Sequence, residues 1–219
     1  MLKVSTIRVD GIDAFEFLQG QLSNDLKRLD AEAEILAAWC NPKGRVIWFG
    51  TVHKTDTGYE LSAPAETAEN IVQRLTMFRF RSKVEFNIVA DATLLDPTSL
   101  ISNGHPYIGL EQSEKFTPHM LNLDLLDAIS LDKGCYTGQE IVARTHYKGA
   151  TKRRTIRFEG DAAVTVGGNI LAGDSKIGEV LNADGKNCLA VVAVDKIDAQ
   201  LVVNDVKLSL IPLAYLDLT

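Results

Sequence analysis

From Thr151 to its end the chain breaks into short β-rich runs, TIRFEG, AVTVGG, ILAG, KIGEVL, CLAVVAVD and QLVVNDVKLSLIPL. Gly160, Gly167, Gly168, Gly173, Gly178, Asp184 and Gly185 separate them. Short strands with turns this frequent close into a small barrel or sandwich, and leave no room for long helices. The texture before this point is different. Val4, Ile7 and Val9 mark a strand, and Asp10 and the segment after it, with Phe15, Leu18 and Leu22, mark a helix. The runs 34–40 and 45–53 flank Asn41-Pro42-Lys43-Gly44, a hairpin signal that leaves Trp39 and Trp48 in the core. A second hairpin turns through Asp56-Thr57-Gly58. Ile71, Val72, Leu75 and Phe78 share one helical face, and residues 83–90 return as a strand. The order β-α-β-β-β-α-β implies an α+β layer, an antiparallel sheet with helices on one side. The expected organisation is an α+β domain over 1–150 and a β-barrel over 151–219. Residues 91–120 are weakly periodic and read as a long loop, after which Asn122 is expected to cap a short helix over LDLLDAIS.

Composition sets the outer limits. Hydrophobic residues make up 46% and charged residues 24%, which excludes a disordered chain and supplies a core without disulfides. No apolar run reaches the roughly 18 residues of a membrane span. The N-terminus has neither signal-peptide nor transit-peptide layout, and Cys40, Cys135 and Cys188 are widely spaced, so a reducing cytoplasm is expected. The net charge of −6 argues against a nucleic-acid binder with an overall basic surface.

The chemistry concentrates in Lys133-Gly134-Cys135-Tyr136-Thr137-Gly138-Gln139-Glu140. Thr137 and Glu140 have the spacing of a capping box, placing Cys135 just before a helix N-terminus that Ile141, Val142 and Thr145 continue. Free N–H groups there, with Lys133 two residues away, favour a thiolate. Gly134 and Gly138 clear space around the sulfur for a ligand or partner. Arg144, Lys148, Lys152, Arg153 and Arg154 follow, giving residues 133–154 a net charge of +5 and leaving −11 for the remainder. One positive face is expected, suited to an acidic protein patch or a folate tail rather than to a long polyanion. The four histidines form no metal-binding pair by spacing, and no stable private metal is expected.

KGCYTGQE resembles the signature of the YgfZ family, folate-binding-type proteins linked to iron–sulfur cluster assembly and repair and related to the aminomethyltransferase GcvT. FLQGQLSNDL (17–26) and residues 116–154 resemble the same family, in the same order. The resemblance implies an α+β folate-pocket region followed by a C-terminal β-barrel. It implies support for iron–sulfur enzymes, tRNA methylthiolases among them, with iron–sulfur assembly or client proteins as partners. Tetrahydrofolate is the implied ligand and Cys135 the functional thiol. Lys133, Gly134, Tyr136, Gly138, Gln139 and Glu140 carry over by position, with Arg144 in the run that follows. Residues 91–115 stand where longer members hold a large middle segment that helps wall the folate pocket. An accessory factor is therefore expected ahead of the alternative, a folate-dependent aminomethyl transferase. Direct contact with nucleic acid or membrane is not expected.

Overall fold

In the computed structural model, which describes residues 1–149 and 151–217 and only the backbone at 90–92, Val4, Ile7 and Val9 form the buried face of β1 (Leu2–Asp10). The strand sits inside a sheet because both its edges are paired, to β4 (Gly58–Pro64) and to β5 (Glu85–Leu95). With β2 (Ile35–Cys40) and β3 (Val46–Lys54) the order is β2-β3-β4-β1-β5, antiparallel throughout. Gly44, at φ +66, closes the β2–β3 turn as its place after Pro42 suggests. The helices α1 (Ala14–Gln19) and α2 (Ala68–Phe78) bury Leu18, Ile71 and Leu75 in one cluster with Trp39, Trp48 and Leu61 from the sheet. Each fully buried leucine or isoleucine there contributes roughly 2 kcal/mol over exposure.

The chain divides into two compact units. The first comprises Met1–Leu95, Ile108–Thr117 and Asp127–Ala143, and the second Asp96–Tyr107, Pro118–Leu126 and Arg144–Thr219. In the second, β6 (Arg153–Gly160), β7 (Asn169–Ala172), β8 (Ser175–Asp184), β9 (Asn187–Ala193), β10 (Leu201–Val203) and β11 (Val206–Ile211) close as β10-β11-β6-β9-β8-β7. The barrel read from glycine spacing is thus present, with Ile156, Phe158, Ile170, Val180, Val192 and Leu201 inside it.

Two local expectations fail. The segment read as a long loop is ordered at its start: β5 runs on to Leu95, and α3 (Pro97–Ser102) follows with Asp96 as its N-cap, the carboxylate accepting from the Thr98 amide at 3.1 Å. Asn122 caps no helix. It ends a single 3-10 turn, His119–Leu121, in the left-handed region at φ +58, and its amide nitrogen donates to the Thr155 carbonyl at 2.7 Å. A bond to a barrel strand has outcompeted the local cap.

Candidate functional site

The signature belongs to the first unit, where its position is fixed by a buried lysine. Lys133 is only 7% exposed, and its ammonium donates to the carbonyls of Leu22 at 2.7 Å and Asn24 at 2.9 Å. It also lies 5.4 Å from the centroid of the Tyr136 ring. Burial pulls its pKa down to about 8, against the opposing attraction of Asp25. The 17–26 segment is held from the same side. The Ser23 hydroxyl donates to the Ala128 carbonyl and accepts from the Ala38 amide, at 2.7 and 2.8 Å. The Asn24 side chain donates to the carbonyls of Leu36 and Asp127, both at 2.8 Å. The two stretches that carry the family resemblance therefore meet in one polar seam, through bonds between residues 111 and 109 positions apart.

Gly138 seats the signature on the β2–β3 hairpin. Its φ is +83, and a Cβ there would stand 2.6 Å from the Asn41 carbonyl oxygen and 3.1 Å from the Cys40 Cβ. Gly44 faces it from the hairpin, where a Cβ would meet Ile141 at 2.8 Å. Gly134 has open space around it, so its role is room rather than close packing.

The capping box does not form as read. The helix α4 (Gln139–Lys148) starts with Gly138 in the cap position, so Glu140 is the second helical residue. The Thr137 hydroxyl points elsewhere, donating at 3.3 Å to the Gln21 side-chain oxygen, which also accepts from the Trp39 indole at 3.2 Å. Gln21 is the residue sequence reasoning left without a role. Its signal was its place in the 17–26 segment that carries the family resemblance.

Cys135 and Glu140 are exposed, and Gln139 is half-buried. Cys40 and Cys188 are buried, and desolvation pushes both thiols up to about 12. Tyr136 is buried with no hydrogen-bond partner for its hydroxyl, and desolvation, with Cys40 beside it, raises its pKa. Two of the three Lys133 donors are taken by backbone carbonyls.

The basic run lies in the second unit from Arg144 onward. Arg144, Lys148, Lys152 and Arg153 are exposed. Arg154 leaves the expected positive face. Its guanidinium forms a two-pronged pair with Asp124 at 2.6 and 2.9 Å and also donates to the His119 carbonyl. Near this pair is a cavity of about 260 Å³, lined by His119, Thr145, His146 and Thr151 among others. His119 is 2% exposed, burial lowers its pKa, and neither ring nitrogen has a partner. Two other cavities measure about 500 Å³, beside Asp10 and Lys83, and about 310 Å³, beside Glu159 and Lys207. None of the three includes a signature residue. Among the described residues no three His, Cys, Asp or Glu side chains are placed to hold a metal ion. No helix of the described residues is long and apolar enough to cross a membrane.

Residues 152–215 match the family model described as the CAF17 C-terminal beta-barrel domain. A tRNA-modifying protein YgfZ from Serratia proteamaculans is 34% identical over 228 aligned positions, covering 71% of this chain and 68% of that protein. Since 71% of 219 residues is far fewer than 228, the Serratia protein holds residues that this chain lacks. A protein of the same name from Photobacterium profundum is 35% identical, over 70% of this chain and 48% of its own length. An uncharacterized protein of Haemophilus influenzae is 29% identical over 89% of this chain and 88% of its own length. Among solved structures, the glycine cleavage system aminomethyltransferase T of Bartonella henselae superposes with a TM-score of 0.74 over 97% of this chain and 84% of that one. At 13% identity that likeness shows the fold alone.

Proposed function

The chain belongs to the YgfZ family, and from that premise we propose that it is an accessory factor in tRNA modification, supporting iron–sulfur enzymes through the Cys135 thiol. The observation that carries this reading is the contrast among the cysteines. Cys135 is exposed on a loop pinned by Lys133 on one side and Gly138 on the other, while Cys40 and Cys188 are buried with thiols pushed up to about 12. An accessible thiol on a fixed loop is a soft ligand that a partner's iron can reach. One cysteine does not hold a cluster, which takes four ligands in its common forms. Cys135 therefore serves a cluster held by a client enzyme, contributing a single thiolate to it.

The remaining signature residues act by position. Lys133 and Gly138 fix the loop, Tyr136 packs beneath it, and Gly134 leaves the sulfur approachable. Gln139 and Glu140 open α4. The exposed Arg144, Lys148, Lys152 and Arg153 present positive charge to an acidic partner. Tetrahydrofolate is the ligand implied by the resemblance. The proposal rests on the exposed thiol.

The test is loss of the gene, with iron–sulfur enzyme activities and methylthiolated tRNA measured after rescue by wild type or Cys135→Ala. Cys135→Ala should fold with a stability change within about 0.5 kcal/mol, because the residue is exposed, and should fail to rescue. Full rescue by Cys135→Ala overturns the thiol mechanism. Folate turnover that survives this substitution would point to the aminomethyl transferase instead.

A further inference from the structure

Between α2 and β5 the chain reads Met77-Phe78-Arg79-Phe80-Arg81-Ser82-Lys83, aromatic and basic residues in alternation. Phe78 is partly exposed, at 36%, but rests edge-on against Trp39 at 6.0 Å. Phe80 stands much further out. It is 88% exposed, next to Met77 at 67%. Its φ is +46, in the left-handed region that a bulky side chain rarely adopts. The turn is pinned on both sides. The Ser82 amide donates to the Arg79 carbonyl at 2.8 Å, and Arg79 donates to the Val84 carbonyl at 3.3 Å. A Cβ on Gly11 would stand 2.1 Å from the Lys83 carbonyl oxygen, so the backbone there is in close contact. The fold thus holds an aromatic ring out in solvent, in a strained conformation, between Arg79 and Arg81. Strain of this kind persists where the surroundings over-determine it, and it concentrates at functional surfaces.

Beside the turn is the cavity of about 500 Å³, lined by Asp10, Ile12, Arg79, Ser82, Lys83 and Glu85, among others. It offers carboxylates and cations together, which suits a neutral guest carrying both donors and acceptors on one edge. No acidic residue occurs between Glu69 and Glu85, so the turn's own ionisable side chains are all basic, although the Asp13 carboxylate accepts from the Lys83 amide at 2.7 Å. With a net charge of −6 the chain repels a polyanion over most of its surface and admits one here.

We propose that residues 77–83 and the adjoining cavity bind single-stranded RNA. A base stacks on Phe80, backbone phosphates lie against Arg79, Arg81 and Lys83, and the edge of a neighbouring base enters the cavity. A ring that stands free needs an unstacked base, which a duplex does not provide. A protein partner is the poorer match, because Met77, Phe80 and Ile12 are interrupted by charges and form no continuous apolar face. The inference extends the proposed function and rests on it only for the identity of the natural RNA as a tRNA.

The experiment measures polarisation of a labelled, unstructured oligoribonucleotide of about a dozen nucleotides, and of a duplex of the same length, with the full chain. Single-strand binding should weaken with salt at a log–log slope of about −2, as three phosphate contacts give, and should exceed duplex binding. Phe80→Gly should weaken it roughly tenfold by removing the stacking face. The melting temperature should hold or rise, since glycine accepts the positive φ without strain. Arg81→Ala should flatten the salt slope. Absence of binding, equal binding by Phe80→Gly, or salt-independent binding overturns the inference. Cys135→Ala should bind the oligonucleotide like wild type. If RNA binding fails while rescue still depends on Cys135, only this inference falls; if the oligonucleotide binds as described while Cys135→Ala rescues fully, only the thiol mechanism falls.

Discussion

The seam beneath the signature and the interior of the barrel are both buried, but they are built from opposite materials. The seam is polar: Lys133, Ser23 and Asn24 are buried, and each donates to backbone carbonyls, while Ser23 and Asn24 also accept from backbone amides. The barrel interior is aliphatic and aromatic, and its buried polar neighbours Asn122 and Thr155 bond to main-chain carbonyls of the same unit. An apolar interior is non-directional, so it supplies stability and tolerates small shifts. A buried lysine aimed at two named carbonyls contributes little net stability, since its desolvation offsets most of the gain. What it does supply is position, because any displacement leaves a buried charge without its carbonyl acceptors. That positioning acts on the loop that carries Cys135.

Equal losses from the two regions should therefore look different. The largest effect is expected from Phe158→Ala inside the barrel, about 4 kcal/mol of stability, read from urea unfolding, with native-state hydrogen exchange unchanged over residues 133–140. Lys133→Met should cost less, about 1 kcal/mol, because the stem still packs and the cost of burying the charge is relieved, while the carbonyls of Leu22 and Asn24 lose their donors. Its mark is local: amides of residues 133–140 should exchange faster while the barrel strands stay protected. A Lys133→Met protein with unchanged exchange over 133–140 would break the comparison, since the lysine would then be ordinary packing.

The same contrast separates what the sequence reveals from what it conceals. Val4, Ile7 and Val9 announce β1 because a one-sided strand alternates, Pro42 and Gly44 announce the hairpin, and the glycines after Thr151 announce the barrel. These are local signals, or they repeat at short period. The seam is neither. Lysine reads as solvent-exposed in any local pattern, and only the approach of Leu22 and Asn24 makes Lys133 a buried donor. Thr137 and Glu140 have capping-box spacing, yet the distant Gln21 takes the Thr137 hydroxyl and Gly138 takes the cap. Arg154 belongs by sequence to a basic run, but Asp124, 30 residues earlier, neutralises it. Family resemblance marked both halves of the seam without showing that they touch.

The smallest expected effect tests the seam through its titration. Burial depresses the Lys133 pKa from 10.5 to about 8 in the folded chain. Below about 8 the lysine is charged in both states, and the full cost of burying that charge weighs on the fold. As pH rises through this value the folded chain loses the proton first. Between about 8 and 10.5 the unfolded chain binds more protons, so the stability contributed by this site rises with pH. Cys40, Cys188 and Tyr136, whose folded pKa values are raised, act in the opposite direction, but they are common to wild type and Lys133→Met. The stability of wild type relative to Lys133→Met should therefore increase between pH 8 and 9.5, by an amount on the order of 1 kcal/mol. A flat difference would mean that the carbonyls of Leu22 and Asn24 hold the lysine charged throughout. The seam would then be an ionic anchor throughout this range rather than one that loses its charge above about 8, and the loop carrying Cys135 would sit beside a fixed positive charge.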